Sequence, residues 1–125
     1  MKPKTRQWLR KADADLRGAQ SMLLVKPSLN DLVCFHSQQA VEKYLKALLE
    51  ESSFHVPKTH DLALLATLLM PRYPQLKLLV RGLDRLTVYA VETRYPGETT
   101  TRREAQSAIR WAARAREVCR SILGL

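Results

Sequence analysis

Apolar residues recur along this chain at helical spacing. Between about residues 4 and 25, Trp8, Ala12, Leu16, Ala19 and Leu23 follow steps of four and three, one stripe of an amphipathic helix, with Asp15 and Arg17 toward its flanks. Lys26-Pro27 ends that helix. Ser28 with Asp31 three residues on resembles a capping box, so a second helix is predicted from near Leu29 to about Glu51, with Val33, Ala40, Val41, Tyr44, Ala47 and Leu48 inward. Residues 52 to 58 read as a loop, and Thr59 caps a short helix whose core side is Leu62, Leu65, Leu68 and Leu69. Met70-Pro71-Arg72-Tyr73-Pro74 breaks it. A fourth segment, roughly 75 to 91, carries Leu76, Leu79, Leu83, Leu86 and Ala90 on one stripe, where Gly82 either weakens the helix or admits a close neighbour. Residues 92 to 100 contain Pro96-Gly97 and no apolar period, hence a surface connection. Thr101 to Glu104 has the capping-box pattern and opens a last helix with Ala105, Ala108, Ala112, Ala115, Cys119 and Ile122 inward and Arg103, Arg110 and Arg114 on another stripe. The reading is all-α: an antiparallel up-and-down bundle of four to five helices, one domain over residues 1–125.

Composition narrows this further. With 125 residues, 46% of them hydrophobic, the chain can bury one ordinary core and not two. Four Gly and six Pro are too few for collagenous or turn-rich all-β classes. A formal net charge of +9 favours acidic or polyanionic partners. Cys34 and Cys119 sit inside apolar-periodic stretches without metal-like spacing, which argues against a disulfide framework or a zinc site and fits a reducing compartment. Residues 1 to 25 carry charges throughout, and no stretch approaches the roughly 18 uninterrupted apolar residues of a membrane span. A cytoplasmic protein with no membrane association is expected.

The second helix carries the most informative pattern. His36, Gln39, Lys43, Lys46 and Glu50 follow steps of three and four and share one polar face. Such a face is either solvated surface or a binding surface; His36 and Gln39 bring donor and acceptor pairs able to read a base or sugar edge, and Lys43 and Lys46 can neutralise phosphate. Ser37 and Gln38 sit toward the apolar side and read as hydrogen-bonded members of a helix or subunit interface rather than as ligand contacts. At a predicted helix start, Asp61 complements the dipole, and His60 takes either a structural hydrogen bond or a ligand contact. His55 reads as surface. Arg94-Tyr95-Pro96 joins a guanidinium suited to phosphate, an aromatic face suited to stacking and a stiffening proline.

Together these pieces resemble a known family. The run Phe35-His36-Ser37-Gln38-Gln39-Ala40-Val41-Glu42-Lys43-Tyr44-Leu45-Lys46-Ala47 is similar to the signature helix of the HEPN family, the higher eukaryotes and prokaryotes nucleotide-binding domain. Trp8, Ala12, Asp15-Leu16 and Ala19 before it, His60-Asp61-Leu62 after it and Arg94-Tyr95-Pro96 ahead of the last helix agree, so the resemblance covers nearly the whole chain. It implies a bundle of four to five helices, commonly a homodimer, often encoded beside a minimal nucleotidyltransferase and binding a nucleotide or that enzyme's substrate. By position, His36, Gln39, Lys43 and Lys46 match the family's polar helix face, His60-Asp61 its His-Asp pair, and Arg94-Tyr95 its loop before the final helix.

Many HEPN proteins are metal-independent ribonucleases with an Arg-x(4–6)-His motif, in which arginine steadies phosphate while histidine does acid-base work on the 2′-hydroxyl. None of His36, His55 or His60 has an arginine at that offset. Rebuilding the pair would need distant residues such as Arg94 and His36. No Gly-rich phosphate loop, paired-carboxylate transferase motif or Ser-His-Asp arrangement stands out. The chain therefore reads as a non-catalytic module for a nucleotide or other phosphate-bearing ligand, with no cofactor and no metal; the resemblance implies that it acts with a minimal nucleotidyltransferase in a toxin-antitoxin-like pair. The alternatives are a metal-independent ribonuclease toxin with an atypical site, for which RNA is the ligand, and a purely structural dimeric interaction protein whose polar face is the dimer seam.

Overall fold

The computed structural model describes residues 1–92 and 95–125, with the side chains of residues 90–92 left aside. Its helices are α1 (Pro3–Leu24), α2 (Asn30–Glu51), α3 (Leu62–Leu69), α4 (Val80–Glu92) and α5 (Arg102–Ile122), with a 3-10 segment, Pro74–Leu79, leading into α4. No strand interrupts them among the described residues.

The central element is α2, which packs against every other α-helix. Asp15 meets Lys43 while Thr5 meets Glu51, so α1 and α2 run antiparallel. Thr100 meets Asp31 while Cys119 Sγ donates to the Tyr44 carbonyl, so α5 lies parallel to α2. α1 and α2 thus form an antiparallel pair, and α5 packs along α2 in the same direction. Ala105, Ala108, Ala112 and Ala115 supply the small α5 surface that permits it, with Ala40 and Ala47 fully buried on α2. Around that seam lie Val33, Val41, Tyr44, Leu45, Leu48, Leu62, Leu65, Leu69, Leu76, Leu79 and Leu86. Truncating a buried leucine of this set to alanine costs about 2–5 kcal/mol.

The ends of the elements correct several expectations. Ser28 and Asp31 form no capping box: α2 starts at Asn30 with Leu29 in the cap position and no side-chain bond there. Ser28 Oγ donates to Asn30 Oδ1 (2.6 Å), and Asp31 Oδ1 accepts from Thr100 N (2.9 Å) and Oγ1 (2.8 Å), so the carboxylate anchors the loop before α5 instead. α3 is capped by Asp61, whose carboxylate accepts from Leu64 N, and Thr59 Oγ1 accepts from Asp61 N one step earlier. Leu68 is exposed, because eight residues of helix present only Leu62, Leu65, Ala66 and Leu69 to the core. The stretch predicted as one helix from 75 divides at Leu79, since Pro74 starts a tighter 3-10 turn before the α-helical ladder begins. α4 then continues to Glu92, into the stretch expected to be connection. Ala90 belongs to the side chains outside the description. On α1, Ala12, Leu16 and Ala19 are buried as expected and Leu9 and Thr5 join them, while Trp8 and Leu23 pack half-buried at the rim.

Other expectations hold. The Thr101/Glu104 capping box is complete in both directions. Gly82 admits a neighbour: a Cβ there would lie 2.1 Å from Trp111 Cδ2. α2 ends with Ser53 N donating to Glu50 O (3.1 Å) and Phe54 N to Leu49 O (2.9 Å), Ser53 taking the left-handed conformation at φ 59°. Nearby, Glu51 Oε1 accepts from Lys2 N (3.0 Å) and Thr5 Oγ1 (2.9 Å), which ties the start of α1 to the end of α2. The Lys2 backbone N–H holds the Glu51 carboxyl below its usual range.

Candidate functional site

The polar face of α2 is half-buried rather than solvated, because α1 lies along one edge of it and residues 56–60 along the other. Two carboxylates organise it. Asp15, from α1, places Oδ1 3.0 Å from His36 Nδ1 and accepts from the Lys43 ammonium at Oδ2. With the Asp15 carboxylate accepting a hydrogen bond from Nδ1–H, His36 keeps Nε2 as the nitrogen not engaged by Asp15. The second carboxylate, Glu42 of α2, is 5% exposed; its Oε1 lies 2.8 Å from His60 Nδ1 and its Oε2 accepts from Lys46 Nζ at 3.2 Å. Lys46 is itself 8% exposed and stands 5.7 Å from the centroid of Trp8. A carboxylate this deep needs both partners, since an unpaired buried charge is strongly disfavoured.

Between the two clusters sits Gln39, whose Nε2 donates to Gln38 Oε1 (2.8 Å); Gln38 Nε2 in turn donates to the His60 carbonyl (3.3 Å). This chain of amides fixes the backbone of residue 60 against α2. His60 keeps 76% of its side chain exposed even while bonded to Glu42.

The structure thus gathers His36, Gln39, Lys43, Lys46 and His60 along one surface. Asp61 is exposed and its carboxylate is spent on the α3 cap. Tyr95 is 65% exposed. Its segment returns to the bundle through Thr100 at Asp31, beside the start of α2, whereas His60 lies beside Glu42 farther along the helix. Arg94 lies outside the described residues, and with it the pairing of Arg94 and His36. Ser37 departs from expectation: its buried hydroxyl finds no hydrogen-bond partner among the described residues.

Sequence reasoning placed Asp15 on a flank and passed over Glu42 as a site residue. A signal existed for the second, because Glu42 and Lys46 have the i,i+4 order that favours a helical ion pair. No local signal marks Asp15, whose partners are 21 and 28 residues away. Elsewhere, Tyr44 Oη and Arg116 Nε both donate to Asp13 Oδ1, joining α1, α2 and α5. Both cysteines are free and buried; burial raises the thiols to about 11 for Cys34 and about 12 for Cys119. Among the described residues no group of three His, Cys, Asp or Glu is placed to hold a metal ion, and no helix is long and apolar enough to cross a membrane.

A five-helix bundle whose central helix carries a row of imidazole, amide and ammonium groups, oriented by two carboxylates, defines a small helical module with one shaped polar surface. A family model for the HEPN domain matches residues 5–122, and the chain belongs to that family. Membership makes it a nucleotide-binding or ribonuclease-like module of a family that is often dimeric. It also resembles a small HEPN-type protein of known structure, TT1696 from Thermus thermophilus, with a TM-score of 0.85 and 28% identity over 96% of this chain and 98% of that one. No curated protein matches the sequence.

Proposed function

We propose that this chain is a non-catalytic HEPN module that binds a nucleotide, or a phosphate-bearing segment of a partner, on the polar face of α2, and works as a homodimer beside a minimal nucleotidyltransferase in a toxin-antitoxin-like pair. The observation that carries this reading is the paired arrangement of Asp15 and Glu42, each holding one imidazole and one ammonium along the same face. Side chains held by such partners lose less freedom when a ligand arrives. In this reading Lys43 and Lys46 supply charge for phosphate, His36 and Gln39 read a base or sugar edge, and His60 closes the side of the face. Arg94 and Tyr95 add phosphate and stacking contacts from the loop before α5.

NMR titration with nucleoside triphosphates tests this. Shifts should centre on His36, Gln39 and Lys43, and Lys43→Ala should weaken binding by about 1–3 kcal/mol. Shifts confined to Arg103, Arg110 and Arg114 of α5, or none at all, would sink the reading.

A second reading, metal-independent RNA cleavage, is favoured by one observation: Asp15 orients the His36 imidazole as a carboxylate orients an acid-base histidine. Against it stands the missing Arg-x(4–6)-His spacing. Turnover of a labelled RNA strand that persists in EDTA and disappears in His36→Ala would promote this reading over the first.

A further inference from the structure

Where α1 begins and α2 ends, a pocket of about 370 Å³ opens between the two helices and the loop that follows α2. Its lining comes from three separate segments: Lys4, Gln7, Trp8 and Lys11 from α1, Lys46 and Glu50 from α2, and Val56, Pro57 and Lys58 from the loop. Lys46 and Glu50 come from the polar face of α2, and of the residues assigned above to the nucleotide only Lys46 lines this pocket. The volume is in the range of small-molecule sites, about 300–1,000 Å³.

The chemistry of the lining is specific. Four ammonium groups and one carboxylate surround the space, and of the four only Lys46 has an acidic partner among the described residues, the Glu42 beneath it. Lys4, Lys11 and Lys58 are exposed at the mouth. Like charges drawn around one concavity repel each other and raise its positive potential, and an anion relieves both. Trp8, half-buried with its ring near Lys46, adds an aromatic wall on which a planar ring can stack, while Val56 and Pro57 offer an apolar wall. Glu50 would oppose a bare polyphosphate, whose charge is spread over its whole length. It suits a ligand with sugar hydroxyls, to which a carboxylate is an acceptor in other nucleotide sites.

We propose that this pocket binds a phosphate ester carrying a planar ring and a sugar, of the nucleoside mono- or diphosphate class, with the ring against Trp8 and the phosphate among Lys4, Lys11, Lys46 and Lys58. The proposal goes beyond the function assigned to the α2 face, because a ligand seated here need not touch His36, Gln39 or Lys43.

The two indole N–H signals of the full chain, from Trp8 and Trp111, allow a direct test. ADP is titrated against labelled protein, with inorganic diphosphate and adenosine as separate arms. Trp8 should shift saturably with ADP while Trp111 stays still, and each partial ligand should bind at least about ten-fold more weakly, since each forfeits one half of the contacts. Lys11→Ala/Lys58→Ala removes two exposed ammonium groups and should weaken ADP binding by about ten-fold or more, whereas Arg110→Ala, on α5, should leave it unchanged.

A still Trp8 signal overturns the proposal, and so does diphosphate binding as tightly as ADP, which would make the pocket a mere sink for anions. Unchanged affinity in the double lysine variant has the same force. The same spectra keep the two assignments apart. Trp8 moving without His36 or Gln39 supports the pocket and removes the α2 face, and the reverse removes the pocket alone.

Discussion

The buried Glu42/Lys46 pair is the sharpest test of how the polar face is held. Glu42→Gln keeps the shape and hydrogen-bonding reach of the side chain and removes its charge, leaving the Lys46 ammonium 8% exposed with no anion in contact. Breaking a buried pair from one side costs about 3–5 kcal/mol. Lys46 lines a pocket open to water, so the lower end applies, about 3 kcal/mol. Lys46→Met leaves Glu42 with His60 as its remaining partner and should cost somewhat less, about 2 kcal/mol. Replacing both charges removes the desolvation penalty with the attraction, so Glu42→Gln/Lys46→Met should fall within about 1 kcal/mol of the parent. The coupling energy is then about 4–6 kcal/mol, above the usual range of about 0.5–3 kcal/mol for residues in contact. Urea unfolding followed by far-UV circular dichroism measures all four proteins, with equal m-values required before the free energies are compared. If the single losses simply add in the double variant, the pair is not the buried unit described here.

Gly82→Ala should destabilise the bundle although alanine favours helix, because the new Cβ would overlap the Trp111 ring at Cδ2, Cε3 and Cγ, the part of the indole nearest its own backbone. A loss of about 1–3 kcal/mol in thermal unfolding is expected, and Trp111→Leu in the same chain should recover most of it. For Cys34 and Cys119, burial raises both thiols from the ordinary value of 9.0, so they should resist alkylation in the native state near pH 8 and react once the chain unfolds in urea. The same shifts set the sign of an alkaline effect. The unfolded thiols ionise first, so stability contributed by these groups is complete below pH 9.0 and falls as pH rises toward about 11 and about 12. Cys34→Ala/Cys119→Ala should flatten that decline in alkaline melting curves.

The helices were legible because each rests on a short-range rule. Period 3.6 marks α1, α2 and α5, and the Thr101/Glu104 box marks the start of α5, whereas Gly82 leaves open a weakened helix or a close neighbour until Trp111 is seen against it. The His36, Gln39, Lys43, Lys46 row followed from the same periodicity. What the order of residues could not decide was anything set by a partner far along the chain. Asp31 is as good a cap residue as Asp61 in isolation, yet Thr100, 69 residues away, claims one while the other caps α3. Trp8 reads as core by spacing, but the antiparallel lie of α1 on α2 puts it at the rim, beside Lys46, and opens the lysine pocket next to it. Asp15 and Glu42 become the organisers of the face only because that packing brings an α1 carboxylate against α2 and the residue 60 backbone against Gln38. Local periodicity determines which side of a helix is apolar; the docking of one helix on another decides which polar groups are left facing each other, and that is a property of the whole bundle.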